Sequence, residues 1–161
     1  MAENTKINNI KPWDERSLNH LIENAIKRNW ELMALSDLGG ISFKFSEVAE
    51  NVEKLHILFE AAGVKPGDKV AICGKNSAVW ALVFIACLTS GTVAVPILHE
   101  FKPDNIHTLV NHSEAKILFV DAAIWKKLDA EKLPNLVGAF SCRRRVCPSP
   151  ARRDSQPSTM R

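Results

Sequence analysis

Cysteine and glycine are both scarce in this sequence, and neither is arranged for chemistry. Four cysteines occur in 161 residues, too few and too scattered for a disulfide framework. Cys73 and Cys87 sit in apolar runs and read as small buried hydrophobes. Cys142 and Cys147 are spaced C-x4-C, without the second ligand pair that a zinc site needs. The seven glycines form neither a G-x-x-x-x-G-K-[ST] loop nor a G-x-G-x-x-G turn, the two familiar phosphate cradles. No serine stands in G-x-S-x-G, and no H-E-x-x-H pattern occurs. His20, His56, His99, His107 and His112 are dispersed, and His107 and His112 stand five apart, off a common helix face. No secretory signal opens the chain, so a cytoplasmic location is the default. No motif in this chain performs chemistry by itself, and neither catalytic nor metal-binding residues are expected.

Positive charge is missing where nucleic acid would need it. The net charge is +3, but residues 1–140 sum to −2 while residues 141–161 hold six Arg, one Asp and no Lys, and sum to +5. The body therefore has no basic face for nucleic acid; a basic-tailed nucleic-acid binder is the weakest reading of the chain. The tail "SCRRRVCPSPARRDSQPSTMR" abandons the lysine usage of the body. It reads as sequence not native to this domain, as after a shifted reading frame, or as a disordered basic tail. The chain thus divides into a lead-in, 1–15, a folded region, 16–140, and the tail, 141–161.

Charge is also absent from residues 78–98, "AVWALVFIACLTSGTVAVPIL", a run long enough to span a bilayer. Thr89-Ser90-Gly91-Thr92 and Pro96 break it, and its first half is helix-like while its second is β-branched. A buried helix followed by a buried strand fits better than a membrane span.

Periodicity supplies the remaining elements. Leu18, Leu21, Ile22, Ala25 and Ile26 make one stripe of a helix running from a Ser17 cap to about Leu35. Ile41, Phe43 and Phe45 alternate as a short strand. Ser46 caps a second helix with Glu47 and Glu50 in its first turn, an inner face of Val48, Val52, Leu55, Phe59 and Ala62, and a stop at Gly63. Pro66-Gly67 form a tight turn before a strand at 69–73. Ser77 opens the helix 78–90, and strands and helices then follow at 92–96, 103–113, 116–121 and 122–132, with "NLVGAF" beginning another strand. Strands that are apolar on both faces and alternate with helices predict an α/β fold: a partial doubly wound, mainly parallel sheet flanked by helices.

In such sheets ligands gather beyond the carboxyl ends of the strands. Gly74, Lys75 and Asn76 follow the strand 69–73, His99 follows 92–96, and Asp121 closes 116–121. Lys75, Asn76 and His99 are the candidate substrate-binding residues.

"TSGT" at 89–92 matches the start of the Thr-Ser-Gly-Thr-Thr-Gly-x-Pro-Lys-Gly phosphate loop, but Val93-Ala94-Val95 follow it and offer neither a flexible backbone nor a cation. A likeness does run through residues 43–121. Phe45-Ser46-Glu47 at a helix start, G-V-K-P-G-D-K-V-A-I at 63–72, Asn76-Ser77, A-x-L-x-x-G-x-V-x-V-P at 86–96 and N-H-S-E-A-K-I-L-F-V-D at 111–121 stand in one order at one spacing. Together they resemble the amino-terminal part of AMP-forming acyl-CoA synthetases, of the adenylate-forming superfamily. "VPILHEFKPDNIHTLVNHSEAK" looks like the long-chain fatty acid branch. Lys102 departs from the Ser or Thr cap expected before Pro103.

The resemblance covers about residues 15–138 and implies an incomplete amino-terminal subdomain of that fold. It implies a parent that is an acid–thiol ligase: ATP and Mg2+ make an acyl-adenylate from a fatty acid, and coenzyme A displaces AMP. The phosphate loop and the mobile lysine of the family are not found here. The expectation is therefore an inactive piece that binds none of these cofactors well. It would lack the remainder of its fold and a membrane span; peripheral membrane association belongs to the parent. The competing reading is a small non-catalytic doubly wound α/β binding module.

Overall fold

The structure is a computed structural model that describes residues 17–142. The lead-in, residues 1–15, and the tail from residue 143, with Cys147, lie outside the described residues.

Helix α1 spans Leu18–Arg28. Ser17 caps it as anticipated, its Oγ accepting the His20 N–H at 3.2 Å. The helix ends at Arg28 and not near Leu35. Asn29 closes it, with both the backbone N–H and Nδ2 donating to the Ala25 carbonyl. The chain then extends into β1, Met33–Ser36, which the helical reading had absorbed. β1 pairs antiparallel with β2, Ser42–Lys44, as a separate hairpin. Of the α1 stripe, Ile26 packs on the core, whereas Leu18 and Leu21 are more than half exposed.

Helix α2, Phe45–Ala61, begins one residue before the anticipated Ser46 cap. The Glu47 carboxylate accepts the Lys44 N–H at 2.8 Å, so an acidic side chain seals the first turn. Val48, Val52, Leu55 and Phe59 form its buried face. At its end Gly63 takes φ +68°. The Val64 N–H then reaches the Phe59 carbonyl and the Gly63 N–H that of Glu60, each at 2.9 Å, a pair that satisfies the last carbonyls. The Pro66-Gly67 turn is closed by the Asp68 N–H donating to the Lys65 carbonyl and leads into β3, Lys69–Cys73.

Helix α3, Ala78–Ser90, is capped by Ser77 and ends at Gly91; β4, Val93–Ile97, follows. The uncharged run is thus split into helix and strand, and no helix among the described residues is long and apolar enough to cross a membrane. β4 differs from expectation in burial: Val93 is 46% exposed, because β4 lies at the edge of its sheet. That position also accommodates Pro96, which has no N–H to donate.

Helix α4, Pro103–Ser113, starts on Pro103, and β5, Ile117–Val120, is wholly buried. The single helix anticipated at 122–132 is broken. A short α5, Ala122–Trp125, gives way to a 3-10 turn at Ala130–Lys132, because the Asp129 N–H is drawn to His107 Nε2 on α4, 3.0 Å away. β6, Gly138–Ser141, completes the order β4-β3-β5-β6, parallel throughout.

Alternate residues of the central strands feed two cores. Val70, Ile72, Ile117 and Phe119 meet α2 and α3 on one face. Ala71, Cys73, Leu118 and Val120 meet Ile106 and Val110 of α4 on the other. Each fully buried Leu, Ile or Val among them contributes about 1.5–3 kcal/mol by leaving water. The sheet is therefore doubly wound, with helices on both faces.

Candidate functional site

β3 and β5 are neighbours, yet the chain leaves β3 through α3 on one face and enters β5 from α4 on the other. Their carboxyl ends diverge at this point, the place where open α/β sheets bind ligands. A cleft of about 700 Å³ opens there. One wall is the loop after β3 and the start of α3, with Lys75, Asn76, Ser77 and Val79. The other is the hairpin segment from Leu35 to Ile41. Asp121 and Cys142 lie at the base.

Two carboxylates order this loop. Asp121, buried at 6% exposure, accepts the Lys75 N–H on Oδ2 at 3.2 Å. Asp37, at the hairpin tip, accepts the Ala78 N–H on Oδ1 at 2.6 Å, and Ser77 Oγ accepts the Trp80 N–H at 3.1 Å. The amides at the positive end of α3 are thus engaged by groups of the chain itself. Lys75 is the one cation among the lining residues, which also include the acidic Asp37 and Asp121.

This arrangement does not fit a triphosphate. The helix terminus that would receive phosphate already holds the Asp37 carboxylate, and Asp121 adds further negative charge. Among the described residues no cluster of three or more His, Cys, Asp and Glu could hold a metal ion. Nor is Cys142 a nucleophile: burial, then the charge of Asp121, pushes its thiol up to about 12. What the cleft offers is an apolar wall from Leu35, Ile41, Val79 and Ala81 beside polar groups of Ser36, Asp37, Lys75, Asn76, Ser77 and Asp121.

Of the residues marked from the sequence, Lys75, Asn76 and Asp121 line this cleft together. Gly74 is buried behind them; a Cβ on it would lie 3.4 Å from Asp121 Oδ1. His99 is half-buried beyond β4 and is not part of the lining. Asp37 and Cys142 were missed. Asp37 precedes a Leu-Gly-Gly turn, which signals a turn residue and nothing of its bond to Ala78. Cys142 was grouped with the tail, but its N–H donates to the Val120 carbonyl and its side chain is fully buried.

A family model described as AMP-binding enzyme matches residues 22–157. The chain is 34% identical over 77 residues to Long chain acyl-CoA synthetase 4 of Arabidopsis thaliana, a match covering 48% of this chain and 12% of that protein. It is 26% identical over 106 residues to the Oxalate--CoA ligase of Arabidopsis thaliana, covering 65% and 21%. Among solved structures it resembles the anthranilate CoA ligase AuaEII in complex with anthranoyl-AMP, at 20% identity and a TM-score of 0.71, over 76% of this chain and 24% of that one. The chain therefore spans a quarter or less of the length of these relatives. Its parallel sheet and flanking helices match the amino-terminal subdomain of adenylate-forming enzymes.

Proposed function

The chain belongs to the AMP-binding enzyme family, whose enzymes use ATP, and from that premise we propose that it is an amino-terminal piece of a ligase that activates a long-chain fatty acid and passes it to coenzyme A. The observation that carries this reading is the 34% identity to a long-chain acyl-CoA synthetase, which agrees with the wording "VPILHEFKPDNIHTLVNHSEAK" at 95–116. Acids as different as oxalate and anthranilate are named for other relatives, so the long acyl chain is the specific part of the proposal. In the whole enzyme Mg2+ accompanies ATP, and the protein is cytoplasmic with a peripheral attachment to membrane. Lys75, Asn76 and His99 are the substrate-facing candidates, Lys75 and Asn76 by lining the cleft.

Alone, the chain is proposed to be inactive. Purified chain incubated with ATP, Mg2+, palmitate and coenzyme A should give no palmitoyl-CoA; its formation would overturn that part. The substrate class is tested separately, by placing residues 17–142 into a long-chain synthetase in exchange for its matching segment. The chimera should keep its preference for palmitate over oxalate or anthranilate, and a reversed preference would remove the long-chain reading.

A second reading, a small non-catalytic α/β binding module, draws support from the two apolar cores that cover both sheet faces within residues 17–142. It predicts a cooperative, monomeric melt of the isolated chain, where a piece of a larger fold should aggregate through its sheet edges.

A further inference from the structure

His107 is the one buried histidine among the described residues, 6% exposed, and it stands outside the strand-end cleft. It lies on α4, against the connection between β5 and β6. Its Nε2 accepts the Asp129 N–H at 3.0 Å. A neutral imidazole has one donor and one acceptor nitrogen, so here Nδ1 carries the hydrogen. Nδ1 is buried and has no hydrogen-bond partner among the described residues. The Asp104 carboxylate is 3.8 Å from it, too long for a bond. One turn along the same helix, Asn111 Nδ2 donates to the Lys132 carbonyl at 2.8 Å. Two α4 side chains thus hold residues 129–132, and Leu133, 4% exposed, follows them into the core with Ile106 and Val110. Trp125, Ala130, Glu131 and Leu133 of this connection line a second cavity of about 430 Å³, together with Gly138 and Ala139 of β6.

We propose that His107 makes the β5–β6 connection acid-sensitive: the neutral ring fixes the Asp129 amide on α4, and protonation of the ring frees that amide. A proton from solvent takes the Nε2 lone pair, and both ring nitrogens are then donors. Nε2–H and the Asp129 N–H stand donor against donor, so the bond is lost. The bond is therefore present while the ring is neutral and disappears as pH falls. The charged groups around the ring do not restore it. On α4, Asp104 faces Nδ1, which carries a hydrogen in either form; its side chain is 86% exposed and lies 3.5 Å from Lys132 Nζ. On the connection, the Asp129 carboxylate is turned to the Glu131 N–H, 3.0 Å away, and Lys126, Lys127, Glu131 and Lys132 are exposed. From the sheet comes Cys73, which is uncharged because burial, and then the charge of Asp121, pushes its thiol up to about 11. Asn111 is then the remaining α4 hydrogen bond to the wall of the second cavity. The effect is independent of the substrate that the proposed ligase takes.

Imidazoles as a class change charge between about pH 5 and 8. In amide hydrogen exchange of the full chain, corrected for the intrinsic effect of pH, protection of the Asp129 amide should fall at least about tenfold from pH 7.5 to pH 5.5. The amides of residues 118–120 in β5 should keep theirs. His107→Gln places a carbonyl oxygen near the Nε2 position, an acceptor that takes up no proton in this range, and most of the difference between the two pH values should vanish. Nitrogen NMR of the unsubstituted chain gives a second readout: at pH 7.5 the His107 ring should carry its hydrogen on Nδ1. Equal Asp129 protection at both pH values, an equal loss across β5, an undiminished difference in His107→Gln, or a hydrogen on Nε2 at pH 7.5 would each overturn the proposal.

Discussion

Lys116 Nζ lies 2.7 Å from Asp68 Oδ2, joining the residue before β5 to the turn before β3. The same carboxylate oxygen accepts the Lys65 N–H at 2.6 Å. The bond from Lys116, and then that from Lys65, hold the Asp68 carboxyl below its ordinary range. A carboxyl lowered on folding stabilises the fold above its unfolded value of about 3.9, and that contribution disappears as pH falls through the lower folded value. In urea titrations at pH 7 and pH 3, Lys116→Met should therefore lose less stability on acidification than the parent chain. An equal loss in both would show that the pair does not contribute to acid sensitivity.

His56 and Thr89 clasp α2 to α3. His56 Nε2 is 2.9 Å from Thr89 Oγ1 and 3.2 Å from the Ala86 carbonyl. The Thr89 hydroxyl spends its proton on the Ile85 carbonyl, 2.9 Å away, so Nε2 is the donor and carries the hydrogen. Thr89→Val keeps the shape and removes the acceptor. It should cost about 1 kcal/mol in urea denaturation, with His56 retaining the Ala86 carbonyl. A double-mutant cycle with His56→Phe should give a coupling above about 0.5 kcal/mol; additivity would show that the contact is not a working bond.

Glu114 closes α4 at φ +55°, a conformation that strains a side chain with a Cβ. Its ion pair with Lys69 spans 3.9 Å with Glu114 76% exposed, worth little in water. Glu114→Gly should therefore stabilise the domain, by about 0.5–1 kcal/mol in thermal or urea unfolding. Gly63→Ala, at φ +68° with open space around the position, should destabilise by a similar amount. The opposite pair of signs would mean that packing and not backbone conformation governs these two helix ends.

Elements whose signals are local were legible in the sequence. Ser77, Gly63 and Gly91 act on amides and carbonyls within a few residues, and α3 and the stop of α2 fall where those residues place them, as α4 starts on Pro103. What escaped depends on distant partners. Burial of β4 follows from which strand lies beside it, and nothing in "VAVPI" says that one side is open. The break in 122–132 is imposed by His107, 22 residues from Asp129. Asp37 meets Ala78 across 41 residues. Lys75, Asn76 and Asp121 are marked in the sequence because they directly follow or close strands, and the structure places all three in the lining of one cleft. His99 shares that rule, but β4 ends at the sheet edge, away from the switch point.

The described cysteines give the last prediction. Burial, the first cause in each case, pushes Cys73 and Cys87 up to about 11 and Cys142 up to about 12. The charge of Asp121 adds to the rise at Cys73 and Cys142, whereas a bond to Thr92 opposes it at Cys87. At pH 8 a thiol near 11 is ionised on the order of one part in a thousand, and the buried sulfurs are closed to reagent as well. Iodoacetamide at pH 8, read by peptide mass mapping, should label Cys73, Cys87 and Cys142 at least about 100-fold more slowly in buffer than in 8 M urea. Asp121→Asn should speed Cys142 only slightly, because it removes the second cause and leaves the first. Prompt labelling of Cys142 in buffer would mean that the end of β6 opens on its own, and the base of the cleft with it.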